Sequence, residues 1–293
     1  MLSIVTALFD KLPLTRAFLE SLERHPPDGP WEIIWVDDGS TDGTREWLAT
    51  LPSPRHRVIL NERNLGFAAS NNRGAAAAAG ETLALLNNDL VLTPGWFAPM
   101  AAALASDPTL GVVGNVQLDA ATGRVDHAGI YFHLVGLPTH AGKHRRHPPR
   151  GDGHFSPAAT AACWLIRRDV FLETGGFDEG YRNGGEDIDL CLRLSATGRR
   201  HWISHRSVIW HHVGASRGRA VINANNRRFL EKWAHVTVAH GQREWARDYL
   251  LRHARQPWRL NGPKTLDALL RLLRLRHGDS AWAAKKRRAI LDS

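Results

Sequence analysis

Apolar residues return along this chain in two rhythms. Short continuous runs at Ser3–Leu8, Trp31–Val36, Val58–Leu60 and Leu83–Leu86 have the length and composition of buried strands. Between them apolar positions recur every three or four residues. Leu14, Phe18, Leu19 and Leu22 predict a helix opened by Pro13 and running through Arg24. A second helix begins in the polar stretch 39–44, with Thr41 or Asp42 as its cap and Trp47 and Leu48 on its apolar side. A third, rich in alanine, runs to Gly80, which the pattern makes its terminating glycine. Strands alternating with helices across short connections predict an α/β fold with a mostly parallel, doubly wound sheet. Helix 94–105 and strand Gly111–Leu118 extend it.

Downstream the rhythm breaks. Residues 127–154 are rich in His, Arg, Pro and Gly and read as a long surface loop or flap. A strand at Thr160–Ile166, a short helix at Asp169–Thr174 and a helix carrying Leu190, Cys191 and Leu194 follow, the last ending at Gly198. Val208–Trp210 is a final short strand, and Arg- and Trp-rich helices fill the rest.

Composition adds little to the fold but divides the chain. At 293 residues, 43% apolar and 23% charged, the chain has the make-up of a globular protein with a sizeable core. No stretch approaches the roughly 20 apolar residues of a membrane span. The start lacks a basic n-region and enters a strand directly, so no signal peptide is expected. Cys163 and Cys191 sit in apolar surroundings without metal-ligand spacing, as small core residues of a cytoplasmic protein would. Residues 217–293 hold 18 Lys/Arg against 6 Asp/Glu, whereas 1–216 hold 20 against 23. That asymmetry predicts a domain over 1–216 and a separate basic helical region over 217–293. No nucleic-acid-binding module accompanies the basic residues.

The chemistry collects where strands end and helices begin. The clusters are Asp37-Asp38, Asn64-Leu65-Gly66, Asn87-Asn88-Asp89 and Glu186-Asp187. Each by itself is ordinary turn or capping chemistry. Buried strands that end in acid nevertheless put carboxylates at a sheet's carboxyl edge, where open α/β sheets bind ligands.

In their order, these clusters resemble family 2 inverting glycosyltransferases of the GT-A nucleotide-diphospho-sugar transferase fold. The match covers Ser3 to about Ser216. It rests on Ile34-Trp35-Val36-Asp37-Asp38-Gly39-Ser40-Thr41-Asp42-Gly43-Thr44, on Asn64-Leu65-Gly66-Phe67-Ala68-Ala69-Ser70-Asn71-Asn72-Arg73-Gly74, on Gly175-Gly176-Phe177-Asp178-Glu179 followed by Glu186-Asp187-Ile188-Asp189, and on His211-x-x-Gly214-x-Ser216. The pattern looks closest to bacterial rhamnosyltransferase-like enzymes of cell-surface polysaccharide synthesis. The resemblance implies that Asp38 accepts from the base of the nucleotide, with Thr6 and Phe9 lining the same pocket and Arg63 and Asn64 against the nucleoside or diphosphate. It implies that Asp89 binds a divalent ion, Mn²⁺ or Mg²⁺, on the diphosphate. His211 is the candidate further ligand and His212 its alternative. Asn87 stands where the family has the first aspartate of an Asp-x-Asp, and it brings a ribose-bonding amide without charge. Asp187 is the expected general base, its negative charge favoured by a helix N-terminus, and Glu186 the expected acceptor-binding residue.

These features imply sugar transfer from a nucleotide-diphosphate sugar to a glycan or lipid-linked hydroxyl acceptor. A degenerate, non-catalytic binding protein of the same fold is the alternative. A dinucleotide oxidoreductase is disfavoured, because the first strand lacks Gly-x-Gly-x-x-Gly. The basic amphipathic tail suggests an anionic membrane surface as partner, which would make the protein peripheral on the inner membrane face.

Overall fold

The computed structural model describes residues 1–52, 54–212, 219–240, 242–254 and 257–292. Gly214 and Ser216 of the His211 motif, and the expected domain boundary, lie outside them. In chain order the elements are β1 (Leu2–Leu8), α1 (Leu12–Arg24), β2 (Trp31–Asp37), α2 (Thr44–Leu48), β3 (His56–Leu60), α3 (Phe67–Ala77), β4 (Thr82–Leu86), β5 (Leu90–Val91), α4 (Ala98–Ser106), β6 (Leu110–Asp119) and β7 (Val125–His127). They continue as β8 (Ile130–Phe132), β9 (Pro138–His140), β10 (Gly153–Ser156), β11 (Cys163–Arg167), α5 (Arg168–Glu173), α6 (Glu186–Ala196) and β12 (Arg200–His211). Helices α7 (Arg219–Thr237), α8 (Gln242–His253), α9 (Gly262–Leu272) and α10 (Ala281–Leu291) complete the chain.

Two compact units result. The first comprises residues 1–129 and 140–217, the second 130–139 and 218–293. In the first, the main sheet runs β10-β12-β6-β11-β4-β1-β2-β3. Its β4-β1-β2-β3 half is wholly parallel, with Leu8 opposite Asp37 and Asp37 opposite Leu60. β11 enters antiparallel between β4 and β6, and β12 lies parallel to β6. Two successive reversals leave β1, β2, β3, β4, β6 and β12 pointing the same way. Their carboxyl ends therefore share one edge of the sheet, and the start of β11 joins them there.

The core explains the uninterrupted apolar runs. Ile4, Ile33, Trp35, Ala84 and Leu165 are fully buried in one cluster with Phe18 and Leu22 of α1. Trp35 stands edge-on to Phe18 and to Trp47, and its indole N–H donates to His56 Nδ1 at 3.1 Å. Burial depresses the His56 pKa, which keeps that acceptor nitrogen neutral. Both cysteines are free and buried, and burial pushes their thiols up.

Helix α3 lies so close to the sheet that Gly74 leaves no room for a side chain. A Cβ there would fall 2.3 Å from Val5 Cγ1 and 3.1 Å from Val36 Cγ2. Gly74→Ala should therefore lower stability by about 1–3 kcal/mol through overpacking, outweighing alanine's better helix propensity. The check is a fall in the urea midpoint at unchanged slope.

Three expectations need correction. Helix α3 ends at Ala77, and Gly80 serves a steric purpose instead: a Cβ there would meet Met1 O at 2.6 Å and Ser3 N at 2.7 Å. The segment 127–154 is only in part a surface loop: it supplies β8, β9 and the start of β10, and His127, Ala128, Ile130, Tyr131 and Phe132 are buried, while residues 143–152 are turns and bends that are mostly exposed. The last strand is twelve residues long rather than three, because register shifts between Ser204 and Val208 let β12 follow β6 past polar positions.

The second unit packs the hairpin strands β8 and β9 with the C-terminal helices. Trp245 Nε1 donates to His133 Nε2 at 3.0 Å, and Trp282 meets the same imidazole edge-on. Burial, helped by Lys286 and Lys264, lowers the His133 pKa to about 4, so the ring is a neutral acceptor at neutral pH. Tyr131 donates to Asp248 at 2.7 Å.

Candidate active site at the carboxyl edge of the sheet

Three of the predicted clusters stand at or after the ends of β2, β3 and β4, and the fourth opens helix α6. Asp37 closes β2 with one carboxylate oxygen accepting from Gly39 N, Ser40 N and Arg45 Nε, the last at 2.6 Å. Asp38 turns into the protein. Its carboxylate accepts from Asn61 Nδ2 at 2.7 Å, Leu65 N at 2.8 Å and Gly66 N at 2.8 Å. A carboxylate offers about four acceptor positions, so one is left. Gly39 completes the clamp, because at φ 88° its missing side chain lets Arg63 C and Asn64 N pass 3.1 Å from where a Cβ would sit. The loop carrying exposed Arg63 and half-buried Asn64 is thus fixed against the end of β2. Thr6 is buried in β1 with its hydroxyl unpartnered, whereas the Phe9 ring just beyond that strand is 51% exposed.

Asp38→Ala would leave three donors without their acceptor. Two of them, on Asn61 and Gly66, are buried, and at about 1–3 kcal/mol for each the expected loss is at least about 2 kcal/mol, read as a depressed unfolding midpoint. Asp38→Asn keeps acceptor capacity on one oxygen and should lose less.

The end of β4 is held from a different direction. Asn87 N donates to Ala162 O at 2.9 Å, and Asn88 Nδ2 to Thr15 Oγ1 at 2.9 Å. Asn87 Oδ1 is buried without a partner. Beyond them β5 runs antiparallel to β12 and sets Leu90 opposite His211. That pairing puts His211 Nε2 3.3 Å from Asp89 Oδ1. His212 only donates its backbone N–H to Asp89 O, and its side chain is exposed, so the geometry favours His211 of the two.

A carboxylate that the sequence did not single out stands behind this pair. Asp126, 4% exposed at the centre of β7, has Oδ2 3.9 Å from His211 Nδ1 and 3.8 Å from His140 Nδ1. Its Oδ1 accepts from Lys143 Nζ at 2.7 Å. Burial lowers the His140 pKa, while Asp126 and Asp187 pull it back up. Burial also holds neighbouring His127 well below the usual imidazole range. The available signal was the run Val125–Phe132, apolar but for an Asp-His pair, which is how a buried polar pair reads in sequence.

Asp187 comes to the same place from helix α6. Its Oδ2 accepts from Ala161 N at 3.1 Å and its Oδ1 from Ile188 N at 2.8 Å. Ala161 and Ala162 lead into β11, so one short segment binds both the Asp187 carboxylate and the Asn87 backbone. Glu186 is buried and accepts from Gly184 N at 2.7 Å, which stabilises the turn at the helix start. Asp189 accepts from Arg193 Nε at 2.8 Å, and the same guanidinium donates to Thr174 O and Gly176 O. This ties the Gly175-Gly176-Phe177 turn to α6.

Asp89 Oδ1 and Asn87 Oδ1 are buried without hydrogen-bond partners, His211 Nε2 lies 3.3 Å from that Asp89 oxygen, and oxygen plus imidazole donors suit Mn²⁺. Among the described residues no group of three His, Cys, Asp or Glu side chains is placed to hold a metal. The pair therefore fits an ion that takes its remaining ligands from substrate phosphate and water, as Mg²⁺-type sites commonly do.

Comparison with known proteins supplies the rest. The family described as glycosyl transferase family 2 matches residues 3–175, more than half of the chain. Two curated relatives are each 33% identical: the uncharacterized protein y4gI of Sinorhizobium fredii over 84% of the chain, and the O-antigen biosynthesis protein RfbC of Myxococcus xanthus over 73%. The chain spans only 27% and 17% of those proteins' lengths. An N-acetylglucosaminyl-diphospho-decaprenol L-rhamnosyltransferase of Mycobacterium tuberculosis is 28% identical over 75% of the chain and 78% of its own length. Among solved structures, GalNAc-T7 with UDP, GalNAc and Mn²⁺ superposes with a TM-score of 0.65 at 19% identity, covering 98% of this chain and 56% of that one. At that identity the likeness speaks for the fold, which is the α/β GT-A fold.

Proposed function

The chain belongs to glycosyl transferase family 2, and from that premise we propose that it is of bacterial rhamnosyltransferase type and transfers a sugar, with inversion, from a nucleotide-diphosphate donor to a hydroxyl acceptor. Its place would be the synthesis of a cell-surface polysaccharide or glycolipid, in keeping with the relatives' names. The observation that carries the reading is the shared anchoring of two clusters. Asn87 and Asp187, a hundred residues apart, are bonded to adjacent residues Ala162 and Ala161. The donor's phosphate end and the acceptor's hydroxyl must meet at one carbon, and this segment holds their candidate partners together.

Asp187 is the general base. Both its oxygens accept only backbone N–H groups in the bonds described above, which leaves acceptor capacity for a substrate O–H. As the acceptor oxygen bonds to the anomeric carbon, Asp187 takes its proton and the bond from that carbon to the diphosphate oxygen breaks. The electron pair leaves with the nucleoside diphosphate, from the face opposite to attack. A divalent ion held by Asp89 and His211 would supply positive charge for that departing diphosphate. Asn87 offers its free Oδ1 to the ribose. Phe9 offers its exposed ring to the base, beside Thr6 and the remaining acceptor position of Asp38, while Arg63 and Asn64 face the nucleoside or diphosphate. Glu186 serves the acceptor side by fixing the Gly184–Gly185 turn.

Thermal shift across a panel of nucleotide sugars, with and without Mn²⁺, tests this directly. A donor at one hundred times its Kd stabilises the folded state by about 2.7 kcal/mol. The expected result is a rise in Tm for one nucleotide family that is larger with Mn²⁺. No rise with any donor overturns the proposal; a rise indifferent to metal, without turnover, leaves a nucleotide-sugar binding protein.

A further inference from the structure

Helix α9 is inverted. An amphipathic helix packed on a protein normally turns its apolar stripe inward and its charges outward. Here the buried residues are Asp267, Ala268 and Arg271, and the exposed ones include Leu266 at 57%, Leu269 at 45% and Leu273 at 66%. The inward face is held by ion pairs, with Asp267 accepting from Arg271 Nε at 3.0 Å, from Arg276 at 3.2 Å and from Trp282 Nε1 at 3.2 Å. Arg271 in turn donates to Gln242 and to Gly278 O. This polar network orients the helix, although it leaves Arg271 Nη2 without a partner, so the outward leucines do not result from loose packing. Leu275, 70% exposed, follows directly, and Trp258 is 76% exposed shortly before the helix.

The surrounding charge selects the occupant. Exposed side chains on and after α9 include Arg274, Arg276, Lys285, Lys286 and Arg288, whereas Asp279 is already paired with Arg287. Leucines flanked by cations, with an exposed tryptophan, match the interface of an anionic bilayer: apolar side chains enter the acyl boundary and cations meet the headgroups. No helix among the described residues is long and apolar enough to cross a membrane, so attachment of this kind is lateral.

We propose that the Leu266–Leu269–Leu273 face of α9 inserts into an anionic lipid surface and holds the protein where a lipid-linked acceptor would lie. The proposal gives the transferase reading a location. Its test needs no sugar, so the two can fail separately. Full-length protein is sedimented with vesicles of phosphatidylcholine alone and of phosphatidylcholine with one third phosphatidylglycerol. Binding is expected only to the anionic vesicles, weakening as salt rises. The triple variant Leu266→Ser, Leu269→Ser, Leu273→Ser should bind about tenfold or more weakly, from the apolar area lost. Because those side chains are exposed, its Tm and its nucleotide-dependent thermal shift should stay unchanged. A Lys285→Gln, Lys286→Gln, Arg288→Gln variant should lose the preference for anionic lipid. Anionic-vesicle binding that survives the leucine variant overturns the proposal. So does absent binding combined with a dimer that the same variant converts to monomer, since a second copy would then cover the face.

Discussion

Asp187→Asn should lower the rate of sugar transfer by about 10²–10⁴-fold, the usual contribution of a positioned general base. The amide is nearly isosteric, and either of its orientations can keep the oxygen on one of the two backbone donors, Ala161 N or Ile188 N. What it cannot do is take a proton from the acceptor. Nucleotide affinity should therefore remain within about twofold, and the loss should appear in kcat with little change in the donor's KM. The control is Asp189→Asn. That carboxylate is fully buried and pairs with Arg193, which holds the Gly175–Gly176 turn. Its loss should lower Tm and reduce activity only in proportion to folded protein. If Asp187→Asn behaves like Asp189→Asn, losing stability and nucleotide binding together, Asp187 is a structural residue of the helix start and the base lies elsewhere.

Much of the fold can be read from the chain because its strongest signals are local. The runs ending at Leu8, Val36 and Leu86 are too apolar for anything but strands covered on both faces, and each is a central strand. The site was legible where it coincides with those strand ends, so Asp38, Asn87 and Asp89 all stand at the predicted edge. What escaped depends on long-range pairing. β5 has only two residues and no pattern of its own, so the ladder with β12 that joins Asp89 to His211 could not be read, although the resemblance had already named the two together. Asp126 escaped because the polar composition that follows it suggested solvent, whereas Val125–His127 is pinned into the sheet by pairing of β7 with β6. In α9 apolar residues recur every three to four positions, but periodicity gives a face and no direction. The direction came from the buried Asp267–Arg271 pair, a tertiary choice.

Metal affinity offers the second large effect, and it separates the roles of two carboxylates. Asp89→Ala should abolish measurable Mn²⁺ binding in the presence of nucleotide diphosphate, since it removes the charged ligand of the site proposed for Asp89 and His211. Asp126→Asn should act more subtly. Ligating imidazoles usually present their other nitrogen to a carboxylate, which fixes the tautomer, and loss of such a partner typically weakens metal binding about 10–100-fold. His211 turns Nε2 toward Asp89, and Asp126 is the carboxylate placed on its other side, 3.9 Å from Nδ1. Titration of Mn²⁺ into the protein with nucleoside diphosphate, followed by the loss of the free-ion paramagnetic signal, measures both variants without turnover. An Asp126→Asn protein with unaltered Mn²⁺ affinity would confine that carboxylate to its pairing with Lys143. If Asp89→Ala retained Mn²⁺ as well, the ion would be held by substrate phosphates alone, and the Asn at position 87 would mark a chain that binds its donor without a protein-held metal.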